Sequence, residues 1–287
     1  MSKQTMMKKR EQEKRRKFGM LIDLDRCTGC GSCMVACMSE NNIPFRKDET
    51  DKLTSINWIR VFKLSNHKPF PETEICFLPM PCMHCQGKET GHTPCVSVCP
   101  VTATDYDSST GIVSQIYSRC FGCRYCMVAC PYHSRSFNWS DAVWPEGMEK
   151  MLNPQVSPRM RGVVEKCSFC YHRYQEARDK AHFEGRRNIA EEAYQTACTE
   201  SCPAGAITFG DLNNPGHRIH QMVQPDLENG GRPKQKNVFR LLERLGTNPA
   251  VYYSSTRTWV RNMGDNRLLQ ENRQHTAAGS NLQDRRA

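Results

Sequence analysis

Cys120, Cys123, Cys126 and Cys130 fall within eleven residues of the stretch RCFGCRYCMVACPYH, and Pro131 follows the last of them. Thiols packed this densely serve disulfides, zinc or iron. Cysteines three residues apart cannot bridge one another without strain, and disulfide frameworks belong to short secreted chains, whereas this one has 287 residues. Structural zinc usually takes two C-x2-C pairs. Here Cys120, Cys123 and Cys126 are evenly spaced, so one loop can wrap three corners of a cubane, and Cys130 points away along a helical turn that Pro131 ends. This is the bacterial ferredoxin run, in which the fourth cysteine ligates a second cluster.

The other thiols fall into matching groups. Cys27, Cys30, Cys33 and Cys37 repeat the spacing; Cys82, Cys85, Cys95 and Cys99 precede Pro100; Cys167, Cys170, Cys198 and Cys202 precede Pro203. Sixteen of the seventeen cysteines thus make four quartets, enough for four 4Fe-4S clusters. The leftover Cys76 reads as a small buried hydrophobe. His84 and His133 follow cysteines closely enough to suggest a Rieske centre, but those cysteines already belong to complete quartets, so both histidines are expected to pack beside a cluster.

The elements that position these groups follow from the spacing. Only residues 100–119 separate the second and third quartets, and VTATDYDSSTGIVS reads as a hairpin turning at Asp107–Gly111. Those quartets should build one ferredoxin unit, leaving the first and fourth to pair across the chain. CPAGAITFGD after the fourth quartet resembles CPVTATDYD after the second, which supports an internal repeat. The expected ligation is nested. Cluster A takes Cys27, Cys30, Cys33 and Cys202; cluster B takes Cys37, Cys167, Cys170 and Cys198. Cluster C takes Cys82, Cys85, Cys95 and Cys130; cluster D takes Cys99, Cys120, Cys123 and Cys126. Adjacent pairing, one with two and three with four, is the alternative.

The expected fold class is α+β: two pseudo-repeated bacterial ferredoxin-like units with insertions, the clusters forming much of the core. A basic tail (1–17) precedes a core (18–216) made of units 76–132 and 18–45 plus 163–212, and an extended, mostly coil docking segment (217–287) follows, with a short amphipathic stretch at Val238–Leu245. The insertion 131–166 carries Tyr132, Phe137, Trp139 and Trp144 among three prolines, which suits an irregular interface. Residues 171–197 read as two short helices broken near Gly185, a charged surface.

The net charge of +10 divides as +6 in residues 1–17 and +6 in 217–287, leaving −2 in the core. With sixteen thiolates and four cationic cubanes the loaded chain comes to about +2. Nucleic-acid binding therefore loses its electrostatic argument. The tails are free to dock on a partner or anionic lipid. No apolar run approaches the roughly 18 residues of a membrane helix. KRRKFGMLIDLDRC holds paired arginines, but Asp23 and Asp25 replace the apolar region a cleaved twin-arginine signal needs, so none is expected.

GMLIDLDRCTGCGSCMVACMSENNIP and RCFGCRYCMVACPY, with the four quartets in this order, resemble the four-cluster ferredoxin subunits of DMSO-reductase-type membrane oxidoreductases over about residues 18–255. PCVSVCPVTATDYDSSTGIV, CPYHSRSFNW and LLERLGTNPAVYY are most similar to the iron–sulfur subunits of the menaquinone reductase complex and alternative complex III. The resemblance implies a wire carrying single electrons between a catalytic or cytochrome-linked subunit and a membrane quinone-site subunit, with menaquinone as the quinone. The implied partners are a large molybdopterin-type or related subunit, or a multihaem cytochrome c, and an integral membrane quinone-binding subunit. It also implies nested ligation, and it leaves a 3Fe-4S cluster at one site as the alternative to four cubanes. Nine residues between Cys85 and Cys95 depart from the commoner shorter spacing. The expected location is peripheral, at the periplasmic side by export on a partner's signal, with the cytoplasmic side as the alternative. A free-standing multi-cluster ferredoxin and a zinc-binding module are the competing functions. No flavin, pterin or nucleotide motif stands out, which assigns substrate chemistry to another chain.

Overall fold

The computed structural model describes residues 16–44, 56–87, 93–157, 160–186, 189–223, 225–226, 232–233 and 237–264. Its centre is β1 (Phe18–Asp23), whose run FGMLID is buried at every position but the last. A strand apolar on both faces belongs inside a sheet, and β1 has a partner on each edge. Antiparallel β8 (Ile207–Asp211) pairs Phe18 with Asp211 and Ile22 with Ile207. Parallel β12 (Val251–Ser254) pairs Met20 with Val251, and β11 (Val238–Phe239) completes the order β11-β12-β1-β8.

Two-stranded ladders surround this sheet. β2 (Arg60–Ser65) pairs with β3 (Ile75–Met80), and β6 (Ser136–Phe137) with β7 (Val164–Glu165). β9 (Pro225–Asp226) pairs with β10 (Arg232–Pro233). β4 (Thr104–Asp107) and β5 (Ile112–Gln115) form the hairpin expected at that turn, where the Asp107 carboxylate accepts from Ser109 N and the Ser109 and Thr110 hydroxyls.

Helices are short. α1 (Ser32–Glu40) packs on α5 (Ala197–Glu200) beside the β1/β8 pair. α2 (Pro94–Ser97) packs on α3 (Tyr125–Val128) beside the β4/β5 pair. Between 171 and 197 stands one helix, α4 (Tyr171–Phe183), rather than two. It ends before Gly185 at φ +69°, and a 3-10 turn at Glu191–Ala193 replaces the second helix. Although α4 is charged, it buries Tyr174, Ala177 and Ala181. Phe18 meets Tyr174 and Tyr194 edge to face, as Tyr194 meets Phe209, the Phe18–Tyr194 centroids lying 4.8 Å apart.

Among the described residues after 217 the expectation of mostly coil is corrected. α6 (Arg218–Val223) packs on β8, and residues 237–264 supply β11, β12 and α7 (Thr258–Gly264). Four residues of VYYS hold a strand because the free edge of β1 satisfies their backbone, which no local signal announces. Tyr253 is fully buried, its hydroxyl donating to Pro79 O at 3.0 Å. Within Val238–Leu245 only β11 and a 3-10 turn at Glu243–Leu245 form. Most of the basic tail and residues 265–287 lie outside the described residues.

Candidate metal centres

Cys27 and Cys30 come from the loop entering α1, Cys33 from its first turn and Cys202 from the turn after α5, and the four line one cavity with Val61 and Pro79. Cys99, Cys120, Cys123 and Cys126 line a second, walled by Thr104, Gln115 and Val164. Cys37 lies one turn beyond Cys33 on α1 but meets other thiols. Burial and the charges of Cys167, Cys170 and Cys198 push its pKa well up. Cys85 is likewise raised by burial and by Cys82, Cys95 and Cys130. The sixteen predicted residues thus sort into four sets of four: two line cavities, and two are grouped by burial and the mutual effects of their thiols alone.

Each set adjoins the next. Cys33 and Cys37 share α1; Cys82 of the third group raises Cys167 of the second, to about 12 after burial; Cys95 acts on Cys126 of the fourth. The Cys37 set is buried throughout, and of all seventeen cysteines only Cys30 and Cys123, one in the first set and one in the last, are exposed.

Backbone amides turn toward the sulfurs. Ala103 N and Thr104 N donate to Cys99 Sγ at 3.1 and 3.5 Å, and Ala206 N donates to Cys202 Sγ at 3.3 Å. Phe169 N donates to Cys167 Sγ at 3.4 Å and Val164 N to Cys120 Sγ at 3.5 Å. These bonds favour ionised sulfur, and Cys99 is held below the usual thiol value by its amide donors against the opposing effect of burial. The tight loops need left-handed residues: Gly122 has φ +79°, and Arg124, His84 and Phe169 also have positive φ.

Burial pushes Cys37, Cys85, Cys130, Cys167, Cys170 and Cys198 the other way, against ionisation. Cys33 is pushed up to about 11 by burial and by Cys27, Cys202 and Cys30. Four desolvated, mutually repelling sulfurs want a cationic centre, which a metal supplies by deprotonating its ligands. Among the described residues no three His, Cys, Asp or Glu side chains converge tightly enough to hold a single ion. Two of the sets ring cavities instead, which suits a cubane bound at its corners.

Four residues escaped the sequence reading. Thr93 Oγ1 lies 3.4 Å from Cys95 Sγ and Thr196 Oγ1 lies 3.2 Å from Cys198 Sγ. The signal was present: T-x-C precedes both C-x3-C-P runs. Two buried cations also escaped, Arg135 and Lys166; Lys166 Nζ donates to Val113 O and, at 2.8 Å, to Cys167 O. His84 lies where expected, fully buried, its Nδ1 accepting from Val113 N at 3.1 Å. Burial, then Lys166 and Arg135, hold its pKa well below the usual value. His133 is corrected: it is exposed at the foot of the Cys130 turn, its carbonyl accepting from Arg60 Nη2. Cys76 is buried as expected. In the 131–166 insertion Tyr132 is buried and bonded to Leu241 O and Thr247, while Trp139 is exposed over Phe137 beneath the Arg124 guanidinium.

Short helices on antiparallel strand pairs, with thiols on C-x2-C loops between them, define a ferredoxin-type iron–sulfur protein. The 4Fe-4S dicluster domain family matches residues 73–147 and the 4Fe-4S binding domain family residues 18–39. The chain is 58% identical to the menaquinone reductase iron–sulfur cluster-binding subunit of Nitratidesulfovibrio vulgaris, over 89% of this chain and 95% of that one. It is 36% identical to the Hdr-like menaquinol oxidoreductase iron–sulfur subunit 1 of Archaeoglobus fulgidus, over 85% of each. It is 34% identical to an iron–sulfur protein of Halobacterium salinarum named for dimethyl sulfoxide reductase, over 82% of this chain and 78% of that one. The chain belongs to this family of iron–sulfur cluster-binding oxidoreductase subunits. Among the described residues no helix is long and apolar enough to cross a membrane.

Proposed function

We propose that this chain is the electron-transfer subunit of a menaquinone reductase-type complex and that it holds four 4Fe-4S clusters in the nested arrangement. Cluster A takes Cys27, Cys30, Cys33 and Cys202, cluster B Cys37, Cys167, Cys170 and Cys198, cluster C Cys82, Cys85, Cys95 and Cys130, and cluster D Cys99, Cys120, Cys123 and Cys126. When bound, the clusters accept and pass on single electrons. The protein separates them with packed side chains, directs amides at their sulfurs and keeps water from the middle of the row. The observation that carries this reading is that only Cys30 and Cys123 among the thiols are exposed, and the assignment puts them in clusters A and D, the two ends of a row A-B-C-D. A wire between two partners needs two accessible ends and a shielded middle.

The two strand pairs, β1/β8 and β4/β5, each with a pair of short helices, are the two pseudo-repeated units. Support comes from the matched Cys99–Ala103 and Cys202–Ala206 bonds and the matched Thr-x-Cys contacts. One end of the row faces a catalytic, molybdopterin-type or cytochrome-bearing subunit. The other faces a membrane subunit with the quinone site. The complex sits at the periplasmic face, reached after folding, because seventeen thiols crossing unfolded would meet an oxidising compartment.

Chemical analysis of the isolated complex should find about sixteen iron and sixteen acid-labile sulfide per chain, with the clusters reduced by a menaquinol analogue or by the physiological donor. Zinc in place of iron would sink the proposal, and purification without partners would favour the free-standing ferredoxin. Protease digestion of spheroplasts that spares this chain would exclude the periplasmic side.

A further inference from the structure

Arg135 lies in the 131–166 insertion, yet it is buried to 4% exposure. Its Nη1 donates to Gln115 Oε1 at 3.0 Å and Thr104 Oγ1 at 3.3 Å, and the Thr104 hydroxyl donates in turn to Gln115 Oε1 at 3.0 Å. Both residues wall the cavity of Cys99, Cys120, Cys123 and Cys126. Nη2 is buried without a partner in hydrogen-bonding geometry. Burial alone would lower the guanidinium pKa, but Cys95, Cys126 and Cys82 outweigh it and hold it up. Ser134, beside it in the chain, donates its hydroxyl to Pro81 O at 3.2 Å, next to Cys82, so the cation stands between the Cys82 loop and the cavity of Cys99, Cys120, Cys123 and Cys126. No Asp or Glu carboxylate is hydrogen-bonded to it among the described residues.

A buried charge without a carboxylate partner is costly and is kept here beside sites that become more negative on reduction. We propose that the guanidinium of Arg135 raises the reduction potentials of the two clusters it separates, those of the Cys82/Cys85/Cys95/Cys130 and Cys99/Cys120/Cys123/Cys126 sets, a reading that rests on the cluster assignment above. Each cluster gains one electron and no proton moves, because a guanidinium does not deprotonate in proteins. The added negative charge is favoured by the fixed cation, and net charge and hydrogen bonding near a cluster are what set its potential. Arg135 is a positioning residue in the energetic sense: it touches no substrate and acts on where electrons rest along the row.

The test is an EPR-monitored redox titration of the whole complex carrying Arg135→Gln, Arg135→Lys or Gln115→Glu, each first assayed for iron and sulfide. Arg135→Gln should lower two of the four midpoint potentials by about 59 mV or more, a tenfold change in a one-electron equilibrium, and leave the other two in place. Arg135→Lys, which keeps the charge, should restore most of the shift. Gln115→Glu, which sets a carboxylate against Nη1, should lower the same two. Fully loaded Arg135→Gln with unmoved potentials overturns the proposal, as does a Lys variant shifted as far as the Gln variant. If Arg135→Gln loses iron, unmoved potentials in loaded Gln115→Glu overturn it. Loss of iron in both makes Arg135 a structural strut and overturns it as well. A wild-type complex lacking iron is a separate failure, that of the cluster reading itself.

Discussion

His84 lies flat against Phe169, ring centroids 3.6 Å apart and planes 15° from parallel. Each ring belongs to the middle of a C-x2-C loop, Cys82–Cys85 and Cys167–Cys170, and each residue has positive φ, +44° and +54°. The stack clamps together two loops 85 residues apart that hold ligands of adjacent thiol groups. Phe169 is fully buried and also meets Phe209 edge to face at 5.2 Å. Phe169→Ala should cost about 3–5 kcal/mol, seen as a lower urea midpoint for the loss of the iron–sulfur absorbance. Phe169→Leu should lose much less. Equal midpoints for wild type and Phe169→Ala would show that the stack does not hold the loops.

Glu40 ends α1, where a negative charge opposes the helix dipole. It is compensated from α4: Arg173 Nε and Nη2 donate at 2.6 and 2.8 Å, and His172 Nε2 lies 2.6 Å away. The Arg173 hydrogen bonds, against burial, hold the Glu40 carboxyl below its ordinary 4.5. A depressed carboxyl contributes fully above the unfolded value and loses its contribution as pH falls through the folded one. Glu40→Gln should therefore destabilise by about 1.5–3 kcal/mol at neutral pH. The gap from wild type should stay constant from about pH 8 to 6 and close only below about pH 4.5. Urea titrations across pH check this, and a gap that changes between pH 6 and 8 would point to another group.

The thiols were legible because a cluster demands sulfur at fixed short spacings, and the 104–115 hairpin because Asp107 to Gly111 is turn chemistry. The partner of β1 was not, since Val251 pairs with Met20 across 231 residues and no local pattern encodes a parallel edge. Charge misled in two directions. Arg135 and Lys166 look like surface residues in sequence and are buried, because Gln115 and Thr104 accept from the one and the Val113 and Cys167 carbonyls from the other. His133, close to Cys130 in sequence, was expected beside a cluster but is exposed, because the turn after Pro131 carries it outward.

Gly122 has no room for a side chain. A Cβ there would lie 2.2 Å from Gly162 O and 3.0 Å from the Phe137 ring, at φ +79°. The 131–166 insertion thus seals the Cys120–Cys123 loop by close backbone approach. Gly122→Ala should open that seal and cost the complex about four iron per chain, with one EPR signal lost and three kept. Retention of all iron would mean that the insertion yields without disturbing the site.

Cys126 and Cys130 are four residues apart, one on α3 and the other just after it, yet they meet different neighbours. Cys126 lines the cavity shared with Cys99, Cys120 and Cys123, whereas Cys130 acts on Cys85 together with Cys82 and Cys95. A short helix ended by Pro131 can aim the two sulfurs apart because α3 completes barely one turn before the chain leaves it. Serine binds iron less well than thiolate, so each substitution should convert one cubane to a three-iron species or lose it. Cys126→Ser should alter the signal of the cluster held with Cys123, and Cys130→Ser that of the cluster held with Cys85. EPR of both variants, with Cys123→Ser and Cys85→Ser as references, separates the cases. If Cys126→Ser and Cys130→Ser perturb the same signal, the two thiols serve one cluster and the nested ligation is wrong.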